Sequence, residues 1–274
     1  MVVEYNGTDY HGFQFQNDTP TIQAELEGAI HKLTNERVRV KGAGRTDAGV
    51  HAIGQVVAFD TETNLSTEKL TNGLNHYLPE DIAVRQVHKA SDDFDPRRDA
   101  HSRRYRYTIL NKQVRAPLSR RTSLLVEETL DVEAMAKSAR LLEGIHDFAG
   151  FGGPLENEEA STVREIYSAT AWKDTQGEKV YFEVEGSAFL PHQVRRMTGA
   201  LIDVGKGRMT EQNIRQILDR VVGGPVANTV PPQGLCLMEV AYRGFPPRDG
   251  EQYDDATKTI HSEGVRSRTP VARP

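Results

Sequence analysis

Gly42-Ala43-Gly44-Arg45-Thr46-Asp47-Ala48-Gly49 sets one guanidinium and one carboxylate two residues apart inside a glycine-dense turn. Glycine reaches backbone angles that a Cβ resists, so such a stretch bends sharply and lets a ligand approach its main chain. Strand-like runs lie on either side, Val38-Arg39-Val40 before it and Gln55-Val56-Val57-Ala58-Phe59 after it. A charged loop held between two strands is a platform for catalytic side chains. The same residues also fit a surface turn with an ordinary ion pair, because glycine-rich patterns discriminate poorly.

Outward from this loop, helical and strand periodicities alternate. Helices are expected after Thr19-Pro20 (Ile22, Leu26, Ile30 and Leu33 on one face), after Ser66, from Asp131 to Gly144, from Pro191 through Val194, Met197, Leu201 and Ile202, and after Thr210. Strands are expected at 2–5, 38–41, 55–59, 82–87, 104–110, 167–172, 180–185 and 235–242. Mixed order of this kind predicts an α+β fold, a largely antiparallel sheet with helices over one face. The second part of the chain repeats the element order of the first, which predicts two α/β halves, 1–98 and 99–245. A polar, flexible tail is expected at 246–274.

The chain has 274 residues and a formal net charge of −5, with 37% hydrophobic and 27% charged residues, as in soluble globular proteins. No run approaches the roughly 18 apolar residues that a membrane span needs. The start has no basic flank or cleavage-site pattern of a secretory signal, and the single cysteine, Cys236, cannot form an internal disulfide. A cytoplasmic location is expected. The charge is segregated: residues 96–126 hold nine basic side chains, among them Arg97, Arg98, Arg103, Arg104 and Arg106, against one acid, Asp99. Such a segment attracts phosphates, the more so where arginines interleave with aromatics. A solvated face with scattered ion pairs is the plainer alternative.

Three elements carry candidate chemistry: the Arg45/Asp47 loop, Arg103-Arg104-Tyr105-Arg106-Tyr107, and Phe189-Leu190-Pro191-His192-Gln193-Val194-Arg195-Arg196-Met197. Strand alternation puts Arg103, Tyr105 and Tyr107 on one face and Arg104 and Arg106 on the other. Tyrosines on a sheet stack on bases or pack in a core. Helical spacing aligns His192, Arg195 and Gly199, so Arg195 pairs with a carboxylate or faces water. The nine histidines lack the spacing of a metal-binding pair, and neither a nucleophile elbow nor a phosphate loop ending in Gly-Lys-Ser/Thr is present. These absences favour a site built on Asp47 over metal, nucleotide-cofactor or serine-hydrolase chemistry.

Gly44-Arg45-Thr46-Asp47-Ala48-Gly49-Val50-His51-Ala52 followed by Gly54-Gln55-Val56 resembles the signature of TruA-type tRNA pseudouridine synthases. The resemblance continues through Glu4-Tyr5-Asn6-Gly7-Thr8, Tyr10 to Gln14, Leu78-Pro79-Glu80-Asp81-Ile82, the Tyr105 strand, Gly144 to Phe148, Phe189 to Gly199 and Gly234-Leu235-Cys236-Leu237. It runs in order over nearly all the chain except the tail.

That resemblance implies two related RRM/ferredoxin-like halves sharing one sheet, with an active cleft between them. It implies a homodimer in which one tRNA contacts both subunits. The activity it implies is conversion of uridine to pseudouridine at positions 38–40 of the anticodon arm, with no cofactor and no metal. Asp47 matches the essential aspartate, Tyr105 the tyrosine stacked on the target base, Arg195 the partner of the aspartate, and Arg45 the arginine linked to base flipping. Leu235 is expected to wall the cleft, and Arg97, Arg98, Arg103, Arg104 and Arg106 to hold phosphates. Phe13, Gln193 and Arg196 depart from the family's usual tryptophan, methionine and asparagine, and the first strand begins abruptly at Met1. The rival readings are a non-catalytic RNA-binding module of the same fold and a hydrolase of phosphorylated small molecules.

Overall fold

The computed structural model describes residues 1–153, 159–220 and 227–243. Residues 1–243 form one compact unit. The tail expected at 246–274 lies outside the described residues. In chain order the strands are β1 (Val2–Tyr5), β2 (Lys41–Gly42), β3 (His51–Ala58), β4 (Ile82–Gln86), β5 (Ala100–Asn111), β6 (Leu124–Val126), β7 (Gly144–Asp147), β8 (Val163–Lys173), β9 (Lys179–Gly186) and β10 (Leu235–Tyr242). The helices are α1 (Ile22–Thr34), α2 (Thr67–Tyr77), α3 (Val132–Ala139), α4 (Gln193–Gly205) and α5 (Glu211–Leu218).

Most helix starts obey their caps. Thr21, Ser66 and Asp131 each accept a hydrogen bond from a backbone N–H of the first turn, and Thr210 forms a reciprocal capping box with Asn213. α4 starts later than expected. Pro191 precedes the helix, and the capping position is taken by His192 at φ 60°, a left-handed conformation that few non-glycine residues adopt.

One sheet runs in the order β4-β1-β3-β10-β5-β9-β8-β7, with β2 added to β3 and β6 to β5. Neighbours are antiparallel apart from β10 with β3 and β6 with β5. The final strand therefore inserts at the centre of the sheet, beside β3 on one side and β5 on the other. Burial alternates along β9, where Val180, Phe182, Val184 and Gly186 are buried and their neighbours half-open. One face thus carries the core, and α3 packs on β8 and on α4 there.

The expected strand at 38–41 reduces to β2. The Val40 N–H bonds Glu27 Oε1 and its carbonyl accepts from Gln23 Nε2, so side chains of α1 take the groups a neighbouring strand would need.

Candidate active site

The Gly42–Gly49 loop leaves β2 and enters β3, and much of its backbone is held by hydrogen bonds. Ala43 N–H donates to Val56 O, and Gly44 O accepts from Gln55 Nε2 at 2.8 Å. Thr46 is buried with its hydroxyl 2.8 Å from the Tyr5 hydroxyl, while its carbonyl accepts from Phe13 N–H. Gly12, at φ +92°, must be glycine: a Cβ there would lie 2.7 Å from Thr46 O. A loop fixed this way presents Asp47 from a rigid support rather than from a mobile turn.

Asp47 is partly open, with its side chain 32% exposed, and Arg195 from α4 meets it: Nη1 donates to Oδ2 at 2.9 Å. Arg195 is itself fixed, because its Nε donates to Val230 O at 2.8 Å. His192 Nε2 lies 3.6 Å from the same carboxylate oxygen. Two cation-capable side chains from the start of α4 thus flank one oxygen.

Tyr105 rises from β5 into the same cleft. Its ring meets Phe189 edge-on at 5.3 Å, and a Cβ placed on Gly44 would lie 3.7 Å from its hydroxyl. Burial raises its proton affinity to about 12, opposed by the Arg103 charge and reinforced by Asp47. It is therefore a neutral phenol in the physiological range. Tyr107, next on the same face, turns instead to the core and donates to Pro231 O at 2.7 Å. The structure thus separates two tyrosines that strand spacing left equivalent.

The cleft that holds these groups has a volume of about 580 Å³, and Leu235 lies in its wall. Five arginines lie in its lining, Arg45, Arg97, Arg103, Arg164 and Arg195, and among the described residues Asp47 is the one acidic residue there. Arg45 and Arg97 are exposed. Arg164 has a buried Nε that no group accepts among the described residues, and burial depresses its pKa.

The other expected phosphate-binding arginines are placed differently. Arg103 is 8% exposed and donates to the carbonyls of Ala43, Arg97, Ala100 and Ser187. Arg104 and Arg106 lie on the opposite face of the sheet. Arg104 pairs with Glu239 and Glu183, and Arg106 bonds Glu183 and sits over the Trp172 and Tyr181 rings. Arg98 is tied to Asp99 and to Asp93 O. The basic count of residues 96–126 overstates the free positive surface, because acids distant in sequence answer it.

One contributor escapes sequence analysis. Arg164 stands in a run with no motif, and only its place in the cleft marks it. His51 fits a structural part: Nδ1 accepts from Gly7 N–H, so Nε2 carries the proton and faces Arg121 O and Gln233 O. The unusual Gln193 is wholly buried, accepts from Leu190 N–H and leaves its Nε2 without a partner among the described residues. Arg196 reaches across to Gly152 O and Thr229 Oγ1. Among the described residues no group of three or more His, Cys, Asp or Glu side chains is arranged to hold a metal ion.

A family model described as tRNA pseudouridine synthase matches residues 1–99 and 138–243. A tRNA pseudouridine synthase A of Myxococcus xanthus is 46% identical over 250 residues, covering 90% of this chain and 92% of its own. One of Geotalea uraniireducens is 42% identical over 245 residues, covering 88% and 98%. A solved Cbf5-Nop10-Gar1 complex aligns with a TM-score of 0.32 at 13% identity, over 74% of this chain and 54% of the other, too distant to carry an argument. The family-model match takes in the Asp47 loop and α4, and the relatives are matched over nearly their full length, so the chain belongs to the tRNA pseudouridine synthase family and is an isomerase.

Proposed function

We propose that the protein converts uridine to pseudouridine in the anticodon stem-loop of tRNA, at positions 38–40, with Asp47 as the catalytic group. The observation that carries this reading is the Asp47–Arg195 pair in a cleft lined, among the described residues, by five arginines and one acidic residue. A chain of net charge −5 whose described residues gather arginines around Asp47 suits a polyanion with its reacting atom at that carboxylate.

The reaction breaks the bond between ribose C1′ and uracil N1, turns the ring and joins C1′ to C5. A proton leaves C5 and one is gained at N1, so no atom is lost overall. A paired uridine must first leave its stack, at a cost of a few kcal/mol. In this reading Arg45 fills the space the base vacates, Arg97 and Arg164 take phosphates, and the Tyr105 ring stacks on the everted base. Asp47, oriented by Arg195, attacks ribose C1′ or the uracil ring, or removes the C2′ proton. Tyr105 is neutral near pH 7, so its part in C5 proton transfer requires a second acceptor such as water. Leu235 and Phe189 keep bulk water from a detached sugar.

The two halves, 1–98 and 99–245, are proposed to meet at the β3–β10 seam, and the cleft draws lining residues from both. A cytoplasmic homodimer belongs to the same proposal. Exposed Ile145, Val163 and Tyr167 at the β7–β8 edge support a subunit contact there.

The decisive assay supplies tRNA carrying tritium at uridine C5. Release by the wild type and none by Asp47→Asn is expected. Binding without release by either protein would establish an inert RNA-binding module instead.

A further inference from the structure

Arg103 is buried, yet among the described residues no carboxylate bonds it. A guanidinium taken out of water without a counter-charge is costly, and burial depresses its pKa. Its compensation consists of backbone carbonyls, and their positions are informative. Nη2 donates to Ala43 O at 3.0 Å, four residues before Asp47. The same nitrogen donates to Arg97 O at 2.6 Å, in the segment that leads into β5. Nη1 donates to Ser187 O at 2.8 Å, in the connection from β9 to α4, the helix that carries Arg195. Arg103 itself is two residues from Tyr105 on β5, on the same face.

We infer that Arg103 is a positioning residue for the isomerisation, one planar fork that sets the Asp47 loop, the Tyr105 strand and the approach to α4 relative to each other. The inference rests on the reading of Asp47 as the catalytic group. A carboxylate partner would neutralise the charge but would bind only one segment. Carbonyls from three separate segments, gathered on one rigid donor set, fix three catalytic elements at once. Lysine keeps the charge and loses the planar fork, so Arg103→Lys isolates geometry from charge.

The test is single-turnover tritium release from C5-labelled tRNA at saturating enzyme, with tRNA affinity measured alongside, for wild type, Arg103→Lys, Arg103→Ala and Asp47→Asn. Arg103→Ala is expected to slow release about 100-fold, the effect of a misplacement near 1 Å. Arg103→Lys should slow it less, with tRNA affinity within about threefold for both variants. Ethylguanidinium added to Arg103→Ala should restore part of the rate. Unchanged release by Arg103→Ala beside an inactive Asp47→Asn would overturn the inference while leaving the reading of Asp47 intact. Weakened affinity with a shallower salt dependence and an unchanged rate would overturn it in favour of a phosphate contact. Loss of far-ultraviolet ellipticity in both Arg103 variants would overturn it by assigning the residue to the core. Release by Asp47→Asn at the wild-type rate would overturn the reading of Asp47 and this inference with it.

Discussion

Arg195 reaches Asp47 at 2.9 Å across 148 positions of chain, and its Nε holds Val230 O from the same side chain. The Arg195 side chain is 14% exposed and that of Asp47 32%, so the pair stands at the cleft surface rather than in the core. Its worth is in orientation: one donor is anchored to the backbone and the other aims a carboxylate oxygen at the space in front of Tyr105.

Arg195→Met should therefore cost catalysis far more than stability. Single-turnover isomerisation is expected to fall about 100-fold. The unfolding free energy should drop by only about 1 kcal/mol, since a partly exposed pair is worth much less than a buried one. Arg195→Lys should recover little of the rate, because one ammonium cannot serve Val230 O and Asp47 together. Urea melts and single-turnover assays on the same preparations check both halves of the claim.

A glycine on the seam between β3 and β10 gives a second outcome. A Cβ at Gly54 would lie 2.5 Å from Met238 O, a backbone atom that cannot move without carrying β10 away from β3. Gly54→Ala is expected to destabilise by about 1–3 kcal/mol and to reduce activity, since the same strand supplies Leu235 and borders Tyr105. Gly28 lies within α1, where an added Cβ would meet nothing within 4 Å. Gly28→Ala should instead stabilise by about 0.5–1 kcal/mol. Equal behaviour of the two variants in chemical denaturation would refute the seam.

Stability should fall toward both ends of the pH range. Burial raises the Tyr105 pKa to about 12, against a free value of about 10. Between those values the unfolded chain loses its phenolic proton and the folded protein keeps it. Stability is thus full below about pH 10 and declines toward pH 12, by about 2–3 kcal/mol from this group. Burial lowers the His51 pKa, so the unfolded chain protonates first as pH falls below about 6.5 and stability declines there too. Tyr105→Phe should remove its own share of the alkaline decline, the rest staying with the buried Tyr5, Tyr107 and Tyr242 phenols and the Cys236 thiol, and His51→Gln should lessen the acid decline beside His88, as read from urea midpoints across pH.

Most of the fold was legible because the periodic segments were long. β1 and β10 match the expected spans, Ser66 and Asp131 cap the helices expected after them, and a helix follows Thr210. Two short elements were missed: β6 spans three residues, too few to establish a period, and β7 (Gly144-Ile145-His146-Asp147) carries glycine and aspartate where a strand pattern favours β-branched and aromatic residues. The site was legible in its parts but not in its assembly. Asp47, Tyr105 and Arg195 stand far apart in sequence, and only the family resemblance joined them. Local spacing could not anticipate that Glu183 and Glu239 would engage Arg104 and Arg106, because those partners come from other strands. The left-handed turn at His192 was invisible for a related reason, since a residue other than glycine gives no sign of positive φ.

That distribution of partners predicts which arginines meet the RNA backbone. Each phosphate contact releases counterions, so log affinity falls with log salt by about 0.7–0.9 per contact. Arg97 is exposed and lines the cleft, whereas Arg106 faces away from it, bonded to Glu183 and covered by Trp172 and Tyr181. Arg97→Ala should reduce the salt slope of tRNA binding by about one contact while leaving the thermal midpoint nearly unchanged. Arg106→Ala should keep the wild-type slope and lower stability, because Glu183 loses its closest cation and two rings lose their cover. Fluorescence titrations of labelled tRNA across a salt series give the slope, and thermal melts give the stability. A reversed result, with the slope changed by Arg106→Ala and not by Arg97→Ala, would move the RNA path to the opposite face of the sheet.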